Sequence, residues 1–152
     1  KDKYSMHNLK YWANEMYLGV GPKAHSYMDR YRFYQVKSPK TYIKKVYEWE
    51  KQTCEPRQNI DSTILSMVPL IESFEYIDKK LEISETIFLG LRLLKGLDLI
   101  KFQEQFGFDL ISAFTTEVTE LSELGLIEQT DGNLKLTSKG LLLSNQVFVK
   151  FM

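Results

Sequence analysis

Apolar positions recur at helical intervals through the second half of the chain. Ile83, Ile87, Leu91 and Leu94 are spaced by 4, 4 and 3 residues, which predicts an amphipathic helix over 82–94, ended by Gly96. Asp98 stands where it can cap a short helix holding Phe102 and Phe106, with Gly107 as the stop. Asp109 is a second capping position. Behind it Leu110, Phe114, Val118, Leu121 and Leu124 repeat at 4, 4, 3 and 3, a helix over 109–124 with Gly125 just past its end. The runs Leu126–Gln129 and Asn133–Leu136 flank Thr130-Asp131-Gly132, a hairpin signal. Thr137 then caps a last helix rich in Leu and Phe. Helix, helix, helix, hairpin, helix is the element order of a winged-helix domain, and 81–152 reads as one such unit.

The first half lacks the pattern of a complete domain. Tyr17-Leu18-Gly19-Val20-Gly21 reads as a short buried strand ending at a turn. Tyr31 to Val36 alternates, with Tyr31, Phe33 and Gln35 on one face and Arg32, Tyr34 and Val36 on the other. Ser38-Pro39 supplies an N-cap and a first-turn proline for a helix running to about Lys51. Two short strands and one or two helices are too little for a closed core. Residues 1–51 therefore read as the last elements of a larger sheet. Residues 52–80, polar at the start and containing Pro56, read as a connector with a helical part. The expected class is α+β.

Charge sharpens the division. Residues 1–51 carry 11 Lys/Arg against 5 Asp/Glu, and residues 52–152 carry 9 against 15, so halves of +6 and −6 sum to zero. Eight of nine tyrosines, both tryptophans and both histidines lie in 1–51. A neutral total argues against a whole-surface polyanion binder. Cys54 is the single cysteine, which excludes a disulfide framework, a cysteine zinc site and a cysteine-ligated cluster within the sequence itself. No apolar run approaches the about 18 residues a transmembrane helix needs. The sequence starts at Lys1 with no signal-peptide pattern, so it reads as a piece of a longer chain.

A winged helix raises the question of DNA. The helix that would enter the major groove, 109–124, carries Asp109, Glu117, Glu120 and Glu123 and no Lys or Arg. DNA carries one negative charge per roughly 1.7 Å of axis, and binding rests largely on neutralising phosphates. A helix of net charge −4 would be repelled. The wing adds Asp131 and only Lys135. A packing or partner-docking domain is the expectation, and a DNA-binding regulator is the least supported reading.

The chemistry-capable residues cluster near the start, in Met6-His7-Asn8-Leu9-Lys10-Tyr11-Trp12 and in Gly19 to Tyr27. Histidine ligates iron or moves protons near neutral pH. Tyr11 and Trp12 can stack on a flat aromatic ligand, and Lys10, Lys23 and Arg30 can pair with carboxylates on it. A flat, anionic, metal-containing ligand with those needs is heme. Against this, a histidine among aromatics is often only a hydrogen-bonded structural residue.

The order His7-Asn8-x-x-Tyr11-Trp12, then Tyr17-x-Gly19-x-Gly21-x-x-Ala24-His25-Ser26-Tyr27, resembles the HemW family of heme chaperones, relatives of oxygen-independent coproporphyrinogen III oxidase. The resemblance continues in Phe88-Leu89-Gly90-Leu91-Arg92, in Phe102 to Gly107 and in Leu141 to Phe148, and is poor over 52–80. It implies an N-terminal radical S-adenosylmethionine barrel holding a [4Fe–4S] cluster on a three-cysteine loop, followed by a HemN-type C-terminal domain. On that basis 1–51 is the end of a truncated barrel, the cluster and S-adenosylmethionine belong to the absent part, and this piece carries no radical chemistry of its own. The resemblance makes His7, Asn8, Tyr11 and Trp12 the heme-binding set, with His7 as the iron ligand and His25 as a second candidate. Met6 and His25 are the options for the other axial position. The implied partners are heme, apo-hemoproteins and the missing barrel, in the cytoplasm, with no nucleic acid. A parent that is a genuine coproporphyrinogen oxidase is the alternative. Many family members have glycine where this chain has Lys23, which bears on the turn before Ala24. Arg92 is expected to pair with an acidic neighbour or to touch the barrel, and Cys54 to be an exposed thiol.

Overall fold

The computed structural model describes residues 5–51, 61, 63, 65 and 68–152, and for Met6, His7 and Leu9 the backbone alone. Cys54 and 13 of the 29 positions of the connector expected at 52–80 lie outside the described residues. The chain forms two compact units, one made of the chain up to Asn14 with Lys79–Met152 and the other of Glu15–Asp78. The first helix, α1 (Met6–Trp12), therefore groups with the C-terminal elements and not with the strands that follow it.

The Glu15–Asp78 unit is built on an antiparallel sheet in the order β1-β2-β3, where β1 is His25–Met28, β2 Tyr31–Gln35 and β3 Ile71–Tyr76. Asp29 and Arg30 join β1 to β2 with φ of 48° and 66°, the left-handed pair that a two-residue hairpin turn demands. β3 lies in the expected connector. Five of its six residues are exposed, so it has no apolar face to announce it. The α2 helix, Pro39–Glu50, starts as expected, with the Ser38 hydroxyl accepting from the Thr41 N–H. None of its residues is buried.

The strand expected at Tyr17–Gly21 is not there. Tyr17 makes a single bridge with Tyr27, and beyond it the segment is held by side chains: the Gly19 N–H donates to Ser26 Oγ, and Gln35 Nε2 donates to the Gly19 carbonyl. Leu18 and Val20 point outward, 62% and 80% exposed, because Tyr17 and Gly19 take the inner positions.

In the other unit, α3 (Lys79–Leu91) precedes β4 (Leu97–Asp98) and α4 (Leu99–Phe106). Then come α5 (Leu110–Ala113), α6 (Thr115–Glu123), β5 (Ile127–Thr130), β6 (Asn133–Leu136), α7 (Ser138–Leu142) and α8 (Ser144–Val149). The sheet order is β4-β6-β5. Asp98 and Asp109 cap their helices as expected, accepting from Ile100 and Lys101 and from Ser112. The second Ser112 bond, from its hydroxyl at 2.6 Å, helps hold the Asp109 carboxyl below the ordinary carboxylate range. Asp131-Gly132 makes the expected hairpin turn, with φ of 52° and 75°. Ile87, Leu91, Phe102, Leu110, Leu121, Leu134 and Val147 are the innermost side chains of this unit.

Three helical expectations need correction. The helix over 82–94 lies at 79–91 instead, and Leu94 is left 87% exposed. Hydrogen bonds from Leu93 to the Gly90 carbonyl and from Gly96 to the Leu93 carbonyl turn the chain early, which returns Leu97 to the core. The helix over 109–124 breaks at Phe114 (φ −117°, ψ 38°). There the Thr115 hydroxyl donates to the Ile111 and Ser112 carbonyls, a local competitor of the helical ladder. The last helix breaks in the same way at Leu143 (φ −108°, ψ 21°).

Candidate functional site

The motif helix α1 is short, and the Ser5 hydroxyl accepts from the Asn8 N–H at its start. A helix advances 3.6 residues per turn, so backbone positions 7 and 11, and likewise 8 and 12, stand one turn apart on adjacent stripes. All four motif positions thus fall on one face. Asn8, Lys10 and Tyr11 are exposed and Trp12 is half-buried, while the side chains of Met6 and His7 lie outside what is described. Two bulky aromatic groups beside a lysine, on a helix whose first turn carries an imidazole, fit the needs of an iron porphyrin: ring faces for stacking, an ammonium for a propionate, a nitrogen for the metal. α1 is tied to its own unit by Asn14, whose Nδ2 donates to Thr86 Oγ1 at 3.2 Å.

His25 belongs to the other unit. It opens β1, is exposed, and sets its ring against Tyr34 at 5.4 Å between centroids. Among the described residues no group of three or more His, Cys, Asp or Glu could hold a metal ion. Arg30 lays its guanidinium 5.3 Å from the Tyr76 ring, and Lys23 is exposed. Lys23 occupies the third position of a turn closed by the Ala24 N–H on the Gly21 carbonyl, at φ 63°. Pro22 before it and positive φ at this position are the marks of a type II turn, which favours glycine. Lys23→Gly is expected to raise the unfolding free energy by about 0.5–1 kcal/mol, read from denaturant midpoints at unchanged slope. An unchanged midpoint would mean that lysine carries no strain there.

Among the described residues Arg92 has no acidic partner. Its guanidinium stacks on Phe88, 4.0 Å from the ring centroid, and lies 5.4 Å from Phe148, whose ring meets Phe88 edge to face. The role is a cation–π clamp between α3 and α8.

A cleft of about 490 Å³ was not visible in the sequence. It lies wholly within the C-terminal unit, with Lys79 and Lys80 in its polar lining and Ile83, Phe108, Phe114 and Phe151 among its apolar walls. These residues come from three distant stretches and meet only through the fold. The one local sign was a pair of lysines opening a helix, where the helix dipole disfavours cations.

Residues 77–143 match the HemN C-terminal domain. Over 97% of its length the chain is 33% identical to the heme chaperone HemW of Bacillus subtilis strain 168 and 31% identical to the HemW of Lactococcus lactis. It spans about a third, 34%, of each of those relatives. Among solved structures it resembles the coproporphyrinogen III oxidase HemN of Escherichia coli, a radical SAM enzyme, with a TM-score of 0.56 and 18% identity over 90% of this chain and 28% of that one. Identity that low establishes a shared fold and nothing more. In the described residues no helix is long and apolar enough to cross a membrane. The chain is a relative of the HemW heme chaperones along nearly all of its length, and its residues 77–143 match the HemN C-terminal domain.

Proposed function

We propose that this chain is the C-terminal part of a HemW-type heme chaperone, a cytoplasmic protein that binds heme and hands it to apo-hemoproteins. The first residues of the Glu15–Asp78 unit and its sheet would complete a radical S-adenosylmethionine barrel whose earlier strands, [4Fe–4S] cluster and S-adenosylmethionine site lie in the rest of the protein. The elements from α3 onward would form a winged-helix-like docking domain. One observation carries the reading: His7, Asn8, Tyr11 and Trp12 fall within the single helix α1, on adjacent stripes, and α1 belongs to the same unit as the HemN C-terminal domain.

In this reading His7 ligates the heme iron, Tyr11 and Trp12 flank the ring, and Asn8 orients the group bound beside it. The test is a hemin titration of this chain followed by Soret absorbance, with His7→Ala in parallel. Alanine is the better helix former, so α1 survives the change. Saturable one-to-one binding with a sharpened Soret band, weakened at least tenfold in His7→Ala, is the expected result. Identical binding by both proteins would remove His7 from the site. His25→Ala, measured alongside, tests the second candidate ligand: a comparable loss there would give His25 the other axial position, and unchanged affinity would leave His7 as the ligand of the two.

A further inference from the structure

We infer that the cleft between α3, α6 and the chain end is a binding site for an organic carboxylate with an apolar body, separate from the motif on α1. Its volume, about 490 Å³, falls within the range of small-molecule pockets, roughly 300–1,000 Å³. The walls are those of such a pocket. Phe114 and Phe151 meet edge to face with centroids 5.6 Å apart, and Ile83 and Phe108 add apolar surface.

The polar groups decide the ligand's charge. Lys150, which also lines the cleft, is engaged, donating to both carboxylate oxygens of Glu120 at 2.8 and 2.9 Å. Ser84 is engaged as well, its hydroxyl donating to the Phe151 carbonyl at 2.8 Å. Glu117 supplies one negative charge from α6. Lys79 and Lys80, also in the lining, are exposed, and neither has an ion-pair partner among the described residues. Among the lining side chains that leaves two ammonium groups without an ion-pair partner, Lys79 and Lys80, against the one carboxylate of Glu117.

Those lysines do not serve their own helix. They occupy the first turn of α3, where the aligned peptide dipoles favour anions, and only Glu82 answers that preference. A carboxylate bridging Lys79 and Lys80 would be drawn by two ammoniums and by the helix dipole together, while its apolar body takes the slot against Phe114 and Phe151. A fatty acid and a tetrapyrrole with propionate side chains both present this chemistry. None of the α1 motif residues lines the cleft, so the inference stands whether or not His7 ligates iron.

The experiment titrates this chain with dodecanoate, by calorimetry below its micelle concentration, and with metal-free protoporphyrin IX, by its fluorescence. Expected is one-to-one saturable binding of at least one probe, weakened tenfold or more in the Lys79→Gln/Lys80→Gln double variant. Neither lysine is buried, and losing cations there relieves the helix dipole, so the variant folds. Ala113→Leu, which puts bulk into the cleft, should weaken the same probe. Whichever probe binds identifies the source of the carboxylate. Failure of both to saturate, or equal binding by the double variant, would overturn the site.

Discussion

Phe102→Ala is expected to destabilise the C-terminal unit by about 3–5 kcal/mol, the range for truncating a buried aromatic ring. Phe102 is 1% exposed. Its ring meets Phe106 at 4.7 Å and stands at 89° to Phe108 at 5.4 Å, the edge-to-face geometry that aromatic quadrupoles prefer. The surrounding helix makes the loss hard to absorb. α4 has eight residues, and a helix that short does not persist in water by itself. Its ends are fixed, by Asp98 accepting at the start and by Gly107 at φ 81° at the finish. The backbone therefore cannot slide inward to fill the cavity. Against a total stability of about 5–15 kcal/mol, such a loss removes a large fraction of the margin. Urea unfolding followed by far-ultraviolet circular dichroism measures it directly, provided the slope is unchanged. A loss below about 1 kcal/mol would show that Phe106 and Phe108 close over the gap, and that α4 is anchored by something other than this ring.

The features legible in the sequence were those decided by near neighbours. Ser38, Asp98, Asp109 and Thr137 cap their helices because a cap needs only an N–H two or three residues on. Asp131-Gly132 turns the hairpin because left-handed φ is a local demand. What the sequence hid was decided at a distance. Leu18 and Val20 alternate as a strand would, yet Ser26 and Gln35 take the segment's hydrogen bonds, and both apolar side chains face outward. Ile71–Tyr76 pairs with β2 through Tyr31, Arg32, Phe33 and Tyr34, but carries charge on both faces. The helical repeat holds from Leu110 to Leu121 and fails at Leu124, which lies past the helix end and is 49% exposed, and a backbone break at Phe114 interrupts it without changing its spacing. The candidate sites divide along the same line. The α1 motif is contiguous and was found by resemblance; the cleft joins residues near 80, 114 and 151 and left only the misplaced lysines as a trace.

Gly140→Ala should lower stability by about 1–3 kcal/mol, although the same change in a free helix would raise it by about 1 kcal/mol. The reversal comes from the hairpin lying against α7. A Cβ at position 140 would run into the carbonyl oxygen of Leu126, with the Leu126 carbon also inside contact distance. That carbonyl is not free to swing away, since it accepts the Thr137 N–H at 3.0 Å. Thr137 is itself fixed, its hydroxyl accepting from the Gly140 N–H at 3.0 Å and donating to the Gly125 carbonyl at 2.7 Å. One threonine thus caps α7, ties it to the turn before β5, and holds the very oxygen a methyl group would strike. Relief requires breaking the cap or moving β5 away from α7, and either exposes Leu126 and Ile127, which are 4% and 3% exposed. Leu142→Ala makes the control: it sits in the same helix, is 87% exposed, and should change stability by less than about 0.5 kcal/mol. If Gly140→Ala instead stabilised the protein, hairpin and helix would have to separate without cost, and the close approach of Leu126 to α7 would not be a constraint of the folded state.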